Sequence, residues 1–208
     1  TDIPVQPTKL SIWGDMKEGV YALIENKTLL TPTVTILISN FASSLCIGVQ
    51  AFYVLDVLGN TEEQLGMMYT ISAIGGIFAA KTILPLRKKF RRGQIYSQLP
   101  VIDLLVFLIL FTLDSWWLLG LLFAIRTYTS VVTNIIYSAI RQETTPNHLL
   151  GRVAGTSSML MKLAVPAGLL VGGLWAEVWP IPYVFLFCAI ITLVNYIVLK
   201  RAMFSEVD

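Results

Sequence analysis

The chain has 208 residues, 55% of them hydrophobic and only 13% charged, with a net charge of +2 and a mean hydropathy of +0.71. Ordinary soluble domains carry about 25% charged residues, so this composition excludes a soluble globular fold and gives no basic surface for nucleic acid. It describes an all-α protein whose first partner is a lipid bilayer, and at about 20 residues per crossing the length holds six helices in one bundle.

Residues 1–27 read as a linker on the cytoplasmic side. After Pro4 and Pro7, the residues Trp13, Met16, Val20, Leu23 and Ile24 recur at helical spacing among Lys17, Glu18 and Glu25. That pattern predicts a short amphipathic helix on the membrane surface, weakened by Gly14 and Gly19. Six spans follow at about 28–58, 64–86, 94–113, 116–140, 153–176 and 181–199. They form a bundle over 28–200, and 201–208 is a cytoplasmic tail. The first span carries Asn40, Ser43 and Ser44 on one face. In the second, Ser72, Gly76 and Ala80 recur every four residues, a small-residue stripe that lets helix backbones approach. The run from Arg87 to Arg92 reads as a basic loop. Thr145 and Pro146 read as the cap and first residue of the fifth helix. Trp116, Trp117, Trp175, Trp179 and Tyr183 fall at span ends, where interfacial aromatics belong.

Of the fifteen Lys and Arg residues, all but Lys81, Arg126 and Lys162 fall on the side that holds the two termini, the basic loop and the connection 141–152. The opposite loops carry Asp56, Glu62, Glu63, Asp114 and Glu177. The positive-inside rule then places both termini in the cytoplasm of a multi-pass protein of the cell membrane. The sequon Asn26-Lys27-Thr28 falls on that same side and reads as chance. No secretory signal precedes the first apolar run, and the chain begins at Thr1, which suggests an excised half or a processed product. Cys46 and Cys188 lie inside apolar runs and read as core. His148 is the sole histidine, so no metal site and no cofactor are expected.

Asp103 and Arg126 each lie about ten residues from one end of their span, or about 15 Å, near the middle of a hydrocarbon core about 30 Å thick. An Asp or Arg at a helix centre costs about 2.5–3.5 kcal/mol, so such residues persist where they face a partner or a wet cavity. Lys81 lies close enough to Arg87 to reach the interface along its own stem; Lys162 does not. Ser158 lies one turn before Lys162 and Pro166 one turn after it, while Gly168 and Gly172 give the same helix a tight-packing face. The fourth span presents a stripe of Arg126, Ser130, Thr133, Asn134 and Tyr137, which belongs on a cavity or a helix interface. Asp103 is almost alone on an apolar helix and points at a cation, Arg126 or Lys162. With both cations counted, one positive charge at mid-depth lacks a partner. A substrate or a carboxylate on other helices would supply it.

The residues resemble the C-terminal six-helix half of a major facilitator superfamily transporter. They are most similar to the branch of macrolide-efflux proteins and the enterobactin exporter. The resemblance rests on Met16 to Gly19 with Asn26 to Leu29, Leu58 to Gly66, Leu86 to Phe90, Thr145-Pro146 followed by Leu150 to Val153, and Pro166 to Gly168 with Gly172 and Gly173. It spans about 15–200. It departs from the family in the basic loop, where Pro85, Leu86 and Arg91 replace a common Asp and Gly. The resemblance implies half of a 12-helix fold, two inverted three-helix repeats, and a partner that is an N-terminal six-helix half or a second copy. It also implies proton-coupled export, by antiport and alternating access, of amphipathic small molecules such as drugs, macrolides or siderophores. On that reading Asp103, Arg126, Lys162, Asn40, Ser130, Asn134 and Tyr137 line the substrate or proton path, and Gly76, Gly168 and Gly172 serve packing. The alternative is a non-transporting scaffold or a vestigial half that associates through its glycine faces. An intramembrane protease built on Ser157 or Ser158 lacks a base beside them, so no enzyme is expected.

Overall fold

The computed structural model describes residues 12–202 and Phe204. Residues 1–11 of the expected linker and most of the expected tail lie outside them. Among the described residues seven α-helices follow one another: α1 (Ile12–Glu25), α2 (Lys27–Phe52), α3 (Glu62–Lys89), α4 (Arg92–Leu110), α5 (Trp116–Thr144), α6 (Leu150–Val178) and α7 (Pro182–Arg201). Helices α2 to α7 are each long and apolar enough to cross a bilayer. Their outward side chains are apolar, as with Ile77, Phe78, Leu84, Leu105, Ile109, Ile190 and Val194. In hydrocarbon every backbone polar group must be satisfied within its own segment, which this all-helical architecture achieves.

Local signals set the helix ends. α2 closes through a π-helical turn, Tyr53–Val57. The chain then reverses at Gly59, whose φ of 66° is the left-handed conformation that glycine tolerates. Thr61 caps α3 by accepting from the Gln64 N–H, while the Gln64 side chain accepts from the Thr61 N–H. Glu62 and Glu63 occupy the first turn of α3, and Arg87, Lys88 and Lys89 the last. The expected basic loop is thus largely the end of a helix, where cations offset the negative end of the helix dipole.

A second correction falls at Thr145 and Pro146, which do not open a helix. Thr145 is the extended C-cap of α5 (φ −108°, ψ 127°), the backbone that a following proline imposes. A turn closed by the Leu149 N–H on the Pro146 carbonyl (2.9 Å) separates it from α6.

Helix pairing has internal symmetry. α2 packs on α6 and α3 on α5 most extensively, followed by α4 on α7, α2 on α7, α4 on α5 and α2 on α5. Exchanging the first three spans with the last three leaves this set of pairs unchanged, as an inverted repeat requires. The two main crossings are both made by glycine. A Cβ on Gly168 or Gly172 would lie 2.6 Å from the carbonyl oxygen of Phe41 or Leu45. At the equivalent crossing a Cβ on Gly75 would overlap the Ala124 carbonyl. Gly76, one position along, would meet only the Thr127 and Val131 methyls at 3.6 and 3.8 Å, an ordinary contact. Gly75 and Ala79, both buried, therefore form the tight face of α3.

α1 docks on α6. Gly19 sits against the Arg152 backbone and the Thr156 hydroxyl, and Leu23 is buried, so Gly19 is a contact as well as a weak helix former. Arg152 bridges Asp15 (2.8 Å) and Glu18 (2.7 Å). Trp13, Tyr21 and Ile24 face outward.

Overpacking costs about 1–3 kcal/mol, so Gly75→Ala should lower the melting temperature of the detergent-solubilised protein, whereas Gly76→Ala should leave it nearly unchanged. At α1, ion pairs this exposed contribute about 0–1 kcal/mol each, while the Gly19 approach is to backbone that cannot yield. Limited proteolysis should therefore cut within 12–25 much faster in Gly19→Leu and only slightly faster in Arg152→Ala.

Candidate functional site

The apolar core is divided. One cluster contains Ala42, Leu45, Cys46, Val106, Phe107, Phe123 and Cys188. The other contains Ile36, Leu99, Val132, Ile136 and Leu199. Between them, on four helices, lie Ser39, Asn40 and Ser43 of α2, Asp103 of α4, Arg126 and Thr129 of α5, and Asn195 of α7. These polar residues thus gather in a layer at the seam, within the spans and away from their ends.

Asp103 and Arg126 meet in that layer. Arg126 Nε lies 3.8 Å from Asp103 Oδ1, with the side chains 11% and 16% exposed respectively. The pair is loose, because each partner spends its best hydrogen bond elsewhere. The Thr129 hydroxyl donates to Asp103 Oδ1 at 2.6 Å, and Arg126 donates from Nη2 to the Ser43 hydroxyl at 2.8 Å. Arg126 Nε is buried and makes no hydrogen bond to a described residue. The guanidinium also lies 4.0 Å from the centroid of the Phe107 ring, a cation–π contact that strengthens as water is excluded.

On its other side Arg126 opens into a cavity of about 480 Å³ between α2, α3 and α5, lined in part by Ser43, Gln50, Tyr69, Ser72, Thr127 and Ser130. A second cavity, of about 310 Å³, lies between α2, α5 and α6 and is lined in part by Asn40, Asn134, Tyr137, Arg141, Ser158 and Lys162. The two are stacked along α5, where the Asn134 amide donates to the Ser130 carbonyl (2.8 Å). Asp103 is thus placed with Arg126, and Lys162 belongs to the adjoining cavity. Asn40 donates to the Met161 carbonyl of α6 (2.8 Å). Tyr137 is buried, its hydroxyl 3.0 Å from that of Thr33.

Three participants escaped the sequence reading. Thr129 lies one turn from Arg126, so its i+3 spacing was a usable signal. Arg141 was assigned to a connection but lies in the last turn of α5, and Phe107 carries no polar signal at all. Cys46 and Cys188 are buried and free, and the Cys188 thiol donates to the Ala42 carbonyl (3.3 Å). Among the described residues no group of three or more His, Cys, Asp or Glu is placed to hold a metal.

Neither the curated proteins nor the solved structures yielded a match to this chain. The sequence profile of the Major Facilitator Superfamily matches residues 33–206, a stretch that takes in all but the start of α2, every later span and the whole polar layer. With six membrane-crossing helices and this profile across most of its length, the chain is a multi-pass membrane protein that belongs to the Major Facilitator Superfamily, a family of transporters rather than enzymes.

Proposed function

We propose that the chain is the C-terminal half of a secondary active transporter in the cell membrane. It exports amphipathic small molecules in exchange for protons, as in the macrolide-efflux and enterobactin-exporter branch. The observation that carries this reading is the loose Asp103–Arg126 pair between two apolar clusters and beside an open cavity. Two charges that served only to lock helix register would do so best in a closed, fully hydrogen-bonded contact. Here Arg126 Nε lacks such a bond and the 3.8 Å separation leaves room for exchange. Protonation of Asp103 would release Arg126 towards the cavity, and loss of the proton would draw it back.

The cavities open on a face of α2, α3, α5 and α6, which the N-terminal half or a second copy would close. Alternating access then follows from rocking one half against the other around the seam. Both termini lie in the cytoplasm on this reading, with α1 at the membrane surface, Trp13, Tyr21 and Ile24 towards lipid, and Lys81 extended to the interface. The scaffold alternative needs glycine faces free for association. Gly75, Gly168 and Gly172 are used inside the bundle, whereas Gly151, Gly155 and Gly173 of α6 stay open to it, and the flux measurement separates the two readings.

In the full-length protein reconstituted into proteoliposomes with a proton gradient, Asp103→Asn should reduce proton-driven export of amphipathic test compounds by about ten-fold or more. Membrane insertion and melting temperature should stay near wild type. Unchanged export by that variant would assign the pair to structure alone and overturn the switch.

A further inference from the structure

We infer that the cavity around Lys162 is a binding site for an organic anion, an amphipathic molecule bearing a carboxylate or phosphate group. The inference rests on the transporter reading above and gives that transporter's substrate a chemical class.

The charge count on this face carries it. Two cations, Arg141 and Lys162, line the cavity, and no carboxylate does. Among the described residues no acidic side chain lies within 4.0 Å of either cation. Of the carboxylates near the same end of the bundle, Glu143 pairs with Arg92 at 2.6 Å and Asp15 and Glu18 with Arg152, while Glu25 is exposed at the end of α1 and lies outside the cavity lining. Asp103 faces Arg126 and Thr129 instead. The groove as a whole therefore holds Arg126, Arg141 and Lys162 against one carboxylate. Excess positive charge inside low-dielectric walls is costly until an anion enters.

Hydrogen-bonding capacity points the same way. Arg141 Nε is buried with no hydrogen-bond partner among the described residues, and its guanidinium carbon lies 5.5 Å from the Tyr137 ring centroid. A guanidinium so held presents a planar donor fork, which suits carboxylate or phosphate. Lys162 is exposed on the same cavity wall and adds a mobile ammonium. Asn134 and Ser158 supply further polar contacts, and Ile36 and Met161 give the cavity an apolar side for the body of the molecule.

Purified full-length protein would be titrated by calorimetry with four probes of matched shape: naphthoate, naphthyl phosphate, naphthamide and naphthylmethylammonium. The two anions should bind about ten-fold or more tighter than the amide or the ammonium. Their affinity should fall about ten-fold or more in Lys162→Gln and in Arg141→Gln, and stay within about three-fold of wild type in Lys162→Arg. The ligand-free melting temperature of Lys162→Gln should match wild type. Equal or tighter binding of the amide or ammonium, no anion binding to wild type, or anion binding unaffected by Lys162→Gln would overturn the site. A lowered ligand-free melting temperature of Lys162→Gln with anion binding unchanged would give Lys162 to a carboxylate on other helices. Proteoliposome flux keeps the two readings apart. Proton-driven flux without anion preference discards this site and keeps the transporter, while anion binding without flux of any test compound does the reverse.

Discussion

The structure depends on one constraint: ionised side chains placed about 15 Å from water must find partners inside the bundle or in a cavity the bundle encloses. Asp103, Arg126, Thr129 and Ser43 meet that constraint together, and Asn195 meets it on α7 by donating to the Thr35 carbonyl and the Ser39 hydroxyl (3.1 and 2.8 Å). The core is split as a result. Apolar clusters lie on either side of the seam, and each is continuous across several helices. A polar seam between two well-packed blocks is where a bundle can change shape at least cost. Packed cores resist continuous deformation, whereas a few exchangeable hydrogen bonds do not.

The helix pairing determines what that seam can reach. Glycine brings α2 against α6 and α3 against α5 almost backbone to backbone, so each of these pairs moves as a unit. The open face comes from the same four helices, and both cavities lie on it. Exposed apolar side chains are shared among α3, α4, α6 and α7, with Ile77, Leu105, Leu170 and Ile190 among them. Asp103 reaches inward from α4 to Arg126 on α5, linking an outer helix to one that lines the cavities. The charge pair therefore reinforces the lighter packing of α4 on α5.

The six crossings were legible in the sequence, because hydropathy over 20 residues is a strong signal and caps such as Thr61 with Gln64 are local chemistry. Two departures have equally local causes. Thr145 stays extended because Pro146 follows it, and the cations from Arg87 to Lys89 remain helical because a helix C-terminus welcomes positive charge. The tight face of α3 was misplaced by one residue. Gly75 and Gly76 are adjacent, and the rotation of a helix whose faces are all apolar is fixed only by what it packs against. The choice of Asp103 partner was open for the same reason. Arg126 lies ten residues after Trp116 and Lys162 ten after Arg152, so spacing alone does not choose, and the packing of α5 on α4 decides between them. Arg141 went unnoticed because α5 runs to Thr144, further than its hydropathy suggests.

The central claim is that the polar seam borders cavities that hold water. Cysteine placed singly at Ser43, Ser130, Asn134, Ile77 or Leu105 of the full-length protein in native membranes tests it directly, with the protein lacking the added cysteine as the background control, since Cys46 and Cys188 are buried. A membrane-impermeant, charged thiol reagent should modify Ser43→Cys, Ser130→Cys and Asn134→Cys about ten-fold or more faster than Ile77→Cys or Leu105→Cys, because only a hydrated thiol ionises to react. Equal, slow modification at all five positions would mean that the seam is dry and would contradict the account.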